Sequence, residues 1–248
     1  MNNVRRFVIS SRSIRDGYAS YNGPLHHHMA RVLRLRSGDN LLLVDETGKQ
    51  YHGTVDQVSQ EWTAIRINSA EEPPKLSTPG IRVLQGLPKG DRIDLVLQKG
   101  TELGIDRFSI FRAARSVPKL EGDKLKDRLD RWEKIAAEAA RQSERISLPL
   151  LDWYPDTDSV VTSAEENSLK LLLWERGENR PLREILEPIN KPKKILIAVG
   201  PEGGFTPEEA ELFTRHGFIP ITLGERILRT ETAALAITSI LQYKFGDI

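Results

Sequence analysis

The chain contains no cysteine. That removes disulfides, zinc-thiolate sites, iron-sulfur clusters and thiol nucleophiles together, and it suits a reducing cytoplasm. Long apolar runs are also lacking. None approaches the ~18 residues that a membrane span needs, and the opening MNNVRRFVIS has no apolar core of a signal peptide. The expectation is a cytoplasmic chain, neither exported nor membrane-spanning. Familiar phosphate-binding and hydrolytic signatures are missing too: there is no G-x-x-x-x-G-K-[ST], no G-x-G-x-x-G, no H-E-x-x-H and no G-x-S-x-G. Against these absences stand 248 residues, 39% of them hydrophobic and 29% charged, enough apolar material for a sizeable core in one large domain or two small ones.

A net charge of +1 conceals a segregation along the chain. Residues 1–36 carry seven Lys or Arg against one Asp or Glu, whereas residues 37–72 carry two against seven. A positive field of that kind attracts polyanions. The other reading is an ordinary solvated surface. His26, His27 and His28 add to the block. Three adjacent side chains do not converge easily on one metal ion, so a solvated or RNA-facing cluster fits them better and no metal is expected.

Short β-rich runs separated by polar turns fill residues 40–67: LLLVD, the turn ETGK, YHGTVDQV, the turn SQE and WTAIRI. They predict a meander or part of a small barrel. EEPPKLSTPG, residues 71–80, carries the Pro and Gly punctuation of a domain boundary. The division expected is therefore a β domain over 1–72, a linker over 73–80 and a second domain over 81–248. In that second part, strand-like runs alternate with helical ones. Ile93, Val96, Leu97 and Leu103 lie near one helical face, and Leu129, Trp132, Ile135, Ala136 and Ala139 follow the 3.6 period. LKLLLW, KILIAVG and GFIPITLG are strand-length apolar runs, the first two almost continuously apolar. Strands of that kind are buried on both faces, which predicts an α/β fold with a parallel sheet between helix layers.

Three of these strand ends run into unusual loops. After KILIAVG comes PEGGF, and then Thr206-Pro-Glu-Glu, a strong helix start with a capping Thr, Pro at the first helical position and acids in the first turn. The loop from Gly200 to Gly204 thus sits where open α/β sheets bind ligands, although a tight strand-to-helix turn explains the glycines equally. After GFIPITLG, an apolar loop holding Leu223, Gly224, Ile227 and Leu228 also carries Arg226, Arg229 and Glu231, and a buried helix starts near Thr230. Such a loop suits a pocket for a partly apolar cofactor. Read alone, Ile227 and Leu228 also fit as core and the arginines as surface. The third loop follows LKLLLW and holds Glu175, Arg176 and Gly177.

These pieces together resemble a known family. HHHMARVLRLRSGD, QGLPKGDRIDLVLQKGTELGI, AAEAARQSER, AVGPEGGFTPEE and LGERILRTETAA are similar, in order and across essentially the whole chain, to the RsmE family (ribosomal RNA small-subunit methyltransferase E) of the SPOUT superfamily. The resemblance implies a PUA-like amino-terminal β-barrel domain and a SPOUT-type parallel sheet with a deep carboxyl-terminal trefoil knot. It also implies a homodimer that transfers a methyl group from S-adenosyl-L-methionine to N3 of one uridine in 16S ribosomal RNA, within an assembled small subunit, without metal. By motif, the cofactor-binding residues are Leu173, Glu175, Gly200, Pro201, Glu202, Gly203, Leu223, Gly224, Ile227, Leu228, Arg229, Thr232 and Ala233. Backbone groups of Leu223, Ile227 and Leu228 would bond the adenine edge while their side chains cover its faces.

Uridine N3 is a poor nucleophile until its proton leaves, so the site needs a cationic donor for the developing anion and an acceptor for the proton. Arg229 is the expected donor. Glu231 and Glu202 are candidate acceptors, though Glu231 serves equally well as a first-turn helix acid, and as a neutraliser of Arg229. Phosphate contacts are expected from Arg5, Arg6, Arg12, His28, Arg31 and Arg34, with Arg141 and Arg145 of AARQSER facing the active site or a dimer partner and counted with them. Two rival functions stay open: a noncatalytic RNA-binding protein on the same fold, and a SPOUT enzyme with a different target, such as transfer RNA or a 2'-hydroxyl.

Overall fold

The computed structural model describes residues 5–45, 48–72, 78–145, 147–166, 168–176 and 179–248. Most of the expected linker, residues 73–77, lies outside them, as does Gly177. The chain divides into two compact units, Met1–Lys75 with Ala140–Leu148, and Leu76–Ala139 with Pro149–Ile248.

The first unit holds a six-stranded sheet. Its strands are β1 (Arg5–Val8), β2 (Ile14–Arg15), β3 (Tyr18–Asn22), β4 (Asn40–Val44), β5 (Gln50–Val58) and β6 (Trp62–Glu71), in the order β1-β4-β5-β6-β3-β2. A short helix, α1 (Gly23–His27), follows β3 and continues into a wider turn over His28–Val32. Strands β4, β5 and β6 are the meander that alternation and turn residues predict, each antiparallel to the next. Only β1 runs parallel to its neighbour β4. Phe7, Ala19, Tyr21, Met29, Leu41, Leu43, Val55 and Ile65 form the core of this unit.

Residues 140–148 join this unit from far along the chain, a grouping absent from a linear division at 72 and 81. The local reason is Arg6, whose Nη1 donates to the Glu144 carbonyl at 2.6 Å.

The second unit comprises β7 (Gly80–Gly86), α2 (Arg92–Glu102), β8 (Arg107–Phe111), α3 (Gly122–Gln142, whose last turn belongs with the first unit), β9 (Leu150–Tyr154), α4 (Thr157–Thr162), β10 (Leu169–Leu173), β11 (Arg180–Pro181), α5 (Leu182–Leu186), β12 (Lys194–Val199), α6 (Pro207–Arg215), β13 (Ile219–Thr222) and α7 (Thr230–Phe245). Its seven-stranded sheet has the order β11-β13-β10-β12-β7-β8-β9, and every pairing is parallel. The near-continuous apolar runs have the expected cause. Ile195, Ile197 and Val199 of β12 point into one core layer with α2, α5 and α7, while Leu196 and Ala198 point into the other with Phe205 and Phe213. Successive strand residues face opposite ways, so a strand covered on both sides needs apolar residues at every position.

Arg82 is the exception, a buried cation in β7. Its Nε donates to Ser109 Oγ at 2.9 Å, its Nη1 to Glu165 Oε2 at 2.9 Å and the Ser163 carbonyl at 2.8 Å, and its Nη2 to Ser163 Oγ at 2.7 Å. A buried guanidinium with its donors engaged in this way avoids the penalty of an unpaired interior charge.

Candidate active site

Strands β13, β10 and β12 are neighbours in the sheet and run parallel, so their carboxyl ends open on the same edge. The loops that follow Leu173, Val199 and Thr222 converge there around a cavity of about 490 Å³. Ligand sites of open α/β sheets occupy this position, outside the strand ends where the winding order reverses.

Residues distant in sequence hold the Gly200–Gly204 loop in shape. Arg115 Nη1 donates to the carbonyls of Gly203 at 2.8 Å and Phe205 at 3.0 Å. A Cβ on Gly203 would meet Arg115 Cβ at 3.1 Å, so this glycine makes room for the Arg115 side chain. A Gly203→Val change is therefore not a clean probe of ligand contact, because it crowds Arg115. At Gly200 a Cβ would meet the backbone of Gly204 and Phe205 at 3.1 Å, which shows how tightly the loop folds on itself. Beyond the loop, α6 starts with the capping box the sequence predicts: Glu209 N–H donates to Thr206 Oγ1 at 3.2 Å and Thr206 N–H to Glu209 Oε2 at 2.9 Å. Glu209 Oε1 also accepts from the Ala114 N–H and from Thr157 Oγ1.

The other glycine-rich edge is tied to α7. Thr230 Oγ1 donates to the Gly200 carbonyl at 2.6 Å and accepts from Gln85 Nε2 at 2.9 Å. Gln85 is fully buried and donates to the Gly86 carbonyl at 2.9 Å as well. One side-chain pair thus links β7, the loop after β12 and the first turn of α7.

The charged residues sort differently from expectation. Glu202 Oε1 accepts the Lys89 N–H at 2.8 Å and forms a close ion pair with Arg92. Partial burial acts to raise its carboxyl, but the N–H groups of Glu202 and Lys89 and the Arg92 guanidinium hold it below the usual carboxylate range. Glu231 is buried, with Oε1 3.9 Å from Arg92 Nε, and it does not line the cavity. Arg92, on α2, is thus the cation that lies between both candidate proton acceptors, and Glu231 is paired with Arg92 rather than with Arg229. Arg229 is exposed, caps α7 with extended backbone and lines the cavity; among the described residues no ion pair engages it. Burial pushes the Glu175 carboxyl up, with Arg176 acting in the opposite direction.

The structure brings Leu173, Glu175, Gly200, Pro201, Glu202, Gly203, Leu223, Ile227, Leu228, Arg229 and Ala233 together on one cavity wall. Gly224 and Thr232 are not part of that wall. Arg92, Arg115 and Trp174 are, and sequence spacing gives no hint of the first two. In the amino-terminal unit, Arg12, Arg31 and Arg34 are exposed, whereas Arg5 Nη1 donates to the Leu33 carbonyl at 2.8 Å. Arg6 is turned onto Glu144, and burial lowers its pKa while the Glu144 carboxylate raises it. His28 packs edge-on against Phe7. Arg141 is exposed and Arg145 half-buried. Among the described residues no group of three His, Asp or Glu side chains is placed to hold a metal ion, and no helix is long and apolar enough to cross a membrane.

Comparison with known proteins identifies the fold. A family model for an RNA methyltransferase domain matches residues 75–242, and one for an RNA methyltransferase PUA domain matches residues 22–59. The second unit is accordingly an RNA methyltransferase domain. The chain is 37% identical over 235 residues to the Bacillus subtilis ribosomal RNA small subunit methyltransferase E, covering 91% of this chain and 90% of that one. It is 32% identical over 232 residues to the Mycobacterium tuberculosis protein of the same name, covering 92% and 87%. Among solved structures, the Neisseria gonorrhoeae ribosomal RNA small subunit methyltransferase E bound to S-adenosyl methionine superposes with a TM-score of 0.79 at 28% identity, covering 98% of each chain. A putative methyltransferase from Legionella pneumophila, solved with the cofactor SAM, superposes at 0.83 with 30% identity, covering 99% of this chain and 100% of that one. The chain belongs to the ribosomal RNA small subunit methyltransferase E family.

Proposed function

We propose that this protein methylates 16S ribosomal RNA of the small subunit, taking the methyl group from S-adenosyl-L-methionine and placing it on N3 of one uridine. The observation that carries the reading is one cavity on which the loop after β10, the glycine-rich loop 200–204 and the apolar loop holding Leu223, Ile227, Leu228 and Arg229 meet. Its residues fit the cofactor: Leu223, Ile227 and Leu228 supply apolar cover for an adenine, and the backbone of the tightly folded loop at Gly200 and Gly203 lines the space for the ribose and methionine. Bound there, the cofactor supplies an electrophilic methyl on a sulfonium.

The chain's own residues do the rest. Arg229 directs its planar donors at uracil O2 or O4 and stabilises the anion that develops as the N3 proton leaves. Glu202 and Glu231, the two candidate proton acceptors, are both tied to Arg92. Glu202, held ionised by its N–H donors, acts chiefly as an anchor for the loop, and Glu231 moves a proton only if Arg92 releases it. Holding N3 in line with the methyl supplies much of the acceleration.

A domain division of 1–72, 73–80 and 81–248, a PUA-like barrel and a deep trefoil knot belong to the same proposal. So does a homodimer in the cytoplasm. Its support lies on α7, where Ile240 and Tyr243, 41% and 79% exposed, form an outward apolar strip that a second copy of this chain would cover. Arg12, Arg31 and Arg34 contact RNA phosphates, with Arg5, Arg6, His28, Arg141 and Arg145 as further members of that surface. Mass spectrometry of ribosomal RNA from cells lacking this chain tests the whole: one 16S uridine loses its N3 methyl, and an unchanged 16S modification pattern overturns the reading.

A further inference from the structure

The outward face of the amino-terminal sheet carries a row of side chains that the proposed chemistry leaves unused. Alternation along β3 buries Ala19 and Tyr21 and turns Tyr18, Ser20 and Asn22 outward. Strand register fixes their neighbours. Tyr18 stands opposite Arg15 of β2 on one side and Arg66 of β6 on the other, Ser20 opposite Ala64, and Asn22 opposite Trp62. Directly opposed residues of antiparallel strands project to the same face with Cβ atoms about 4.5–5.5 Å apart. The sheet therefore presents an aromatic ring between two guanidinium groups, and a second ring, Trp62, about 13 Å further along β3 at ~3.3 Å per residue.

These side chains are available. Tyr18 is 46% exposed and Trp62 37%, and Arg15 and Arg66 are exposed. Among the described residues neither guanidinium makes an ion pair, and neither lies over the Tyr18 ring. The acids nearest in sequence are Asp16, in the turn between β2 and β3, and Glu61, beside Trp62, so the arginines are not neutralised from within the row itself. An exposed ring flanked by unpaired cations lacks the apolar surroundings of a protein-docking patch. It has instead the two elements of a single-strand nucleic-acid platform: a π-face on which any base stacks and cations for the flanking phosphates. Charge complementarity favours the same occupant on the β2–β3 side, where the first 36 residues carry seven basic side chains against one acid, and β6 adds Arg66 from a stretch otherwise richer in acids.

We propose that Tyr18, with Arg15 and Arg66, forms a base-stacking site for single-stranded RNA on this sheet face, separate from the cavity that holds the methylated base. The proposal rests on the RNA-methylating reading for its biological sense, but its test does not depend on methylation. A duplex hides its base faces, so the site discriminates single strands from duplexes.

The test compares binding of a short uridine-rich single strand and of a hairpin duplex to the full chain and its variants. Tyr18→Ala is expected to weaken the single strand about fivefold to tenfold, the lower range for one base on an aromatic ring, and to leave the duplex unchanged. Tyr18→Phe and Tyr18→Trp keep the ring and keep the affinity. Arg15→Ala with Arg66→Ala flattens the salt dependence by about 1.4 units of slope, ~0.7 for each single-strand phosphate contact. The proposal is overturned if the wild type binds no single strand, if Tyr18→Ala binds like wild type, if Tyr18→Phe falls with Tyr18→Ala, or if the duplex loses as much as the strand. Cofactor binding and methyl transfer to ribosomal RNA are measured on the same wild-type sample. Failure there sinks the functional reading alone, whereas unchanged RNA affinity in Tyr18→Ala with methyl transfer intact sinks the stacking site alone.

Discussion

Thr230 Oγ1 donates a 2.6 Å hydrogen bond to the carbonyl of Gly200, thirty residues away in sequence, and so fastens the start of the last helix to the loop after β12. Both groups are buried, and the same hydroxyl accepts from Gln85. The cavity's two walls therefore share one hydroxyl.

Thr230→Val keeps the shape of that side chain and removes its polar functions. The Gly200 carbonyl and one Gln85 N–H lose a buried partner, a change worth about 1–3 kcal/mol. Because the loss falls on the cavity wall, the expected result is S-adenosylmethionine affinity lowered about tenfold, with Thr230→Ser restoring most of it. Calorimetric titration of the three proteins checks this, and wild-type affinity in Thr230→Val would detach the hydroxyl from the site.

Arg229 lines the cavity and, among the described residues, makes no ion pair, since Glu231 faces Arg92 instead. Arg229→Lys retains charge and loses the planar fork, so single-turnover methyl transfer should fall while cofactor affinity stays within a few fold. Removal of the donor altogether, in Arg229→Ala, is expected to cost about 100- to 1,000-fold in rate. Raising the pH should partly rescue both variants, because more uridine is then already deprotonated. A loss accounted for wholly by weaker cofactor binding removes Arg229 from the chemistry.

Glu165 governs an acid limb of stability. Burial acts to raise its carboxyl, but hydrogen bonding and charge from Arg82 outweigh this and leave the folded-state value lowered. A lowered folded value means the stabilisation is complete above the ordinary glutamate range and is lost as pH falls through the folded value. Thermal melting of the wild type should therefore drop steeply below the ordinary carboxylate range. Glu165→Gln should melt lower at neutral pH, by a change worth about 2 kcal/mol, and show a flatter acid limb. Parallel curves for the two proteins would show that the Arg82 pair contributes nothing.

What local sequence pattern reveals here is the set of elements and the chemistry of contiguous loops. Alternation and turn residues give β4 to β6, double-sided apolar runs give β10 and β12, and the cap at Thr206 gives the start of α6. The loop 223–229 is legible because its apolar and cationic residues are adjacent in the chain. Arg115 is not, for it reaches Gly203 across 88 positions and only the place of β8 in the sheet brings the two together. Arg92 escaped for a related reason: on α2 it reads as a solvent-facing helix residue, yet it meets carboxylates from two other segments. Glu231 carries two readings in the sequence, substrate contact and first-turn helix acid, and it sits in the first turn of α7. Local pattern does not choose between them; residue 231 lies buried beside Arg92, while Arg229, two positions earlier, lines the cavity. Helix α3 begins at Gly122, ahead of its apolar stripe, because its first turns are polar and carry no periodic signal.

The membership of residues 140–148 in the amino-terminal unit has a consequence for the protein's birth on a ribosome. Strands β4, β5 and β6 are joined by short turns and can pair as soon as they emerge. Arg6, in the strand that pairs with β4, has its carbonyl partner 138 positions later at Glu144. Roughly 70 residues, nearly all destined for the other unit, must be translated between Lys75 and the end of that late segment. At ~5–20 residues per second the delay is about 4 to 15 seconds. During that interval the Arg6 guanidinium lacks its Glu144 partner, and the unit's last piece arrives only after the intervening segment of the other unit has been made.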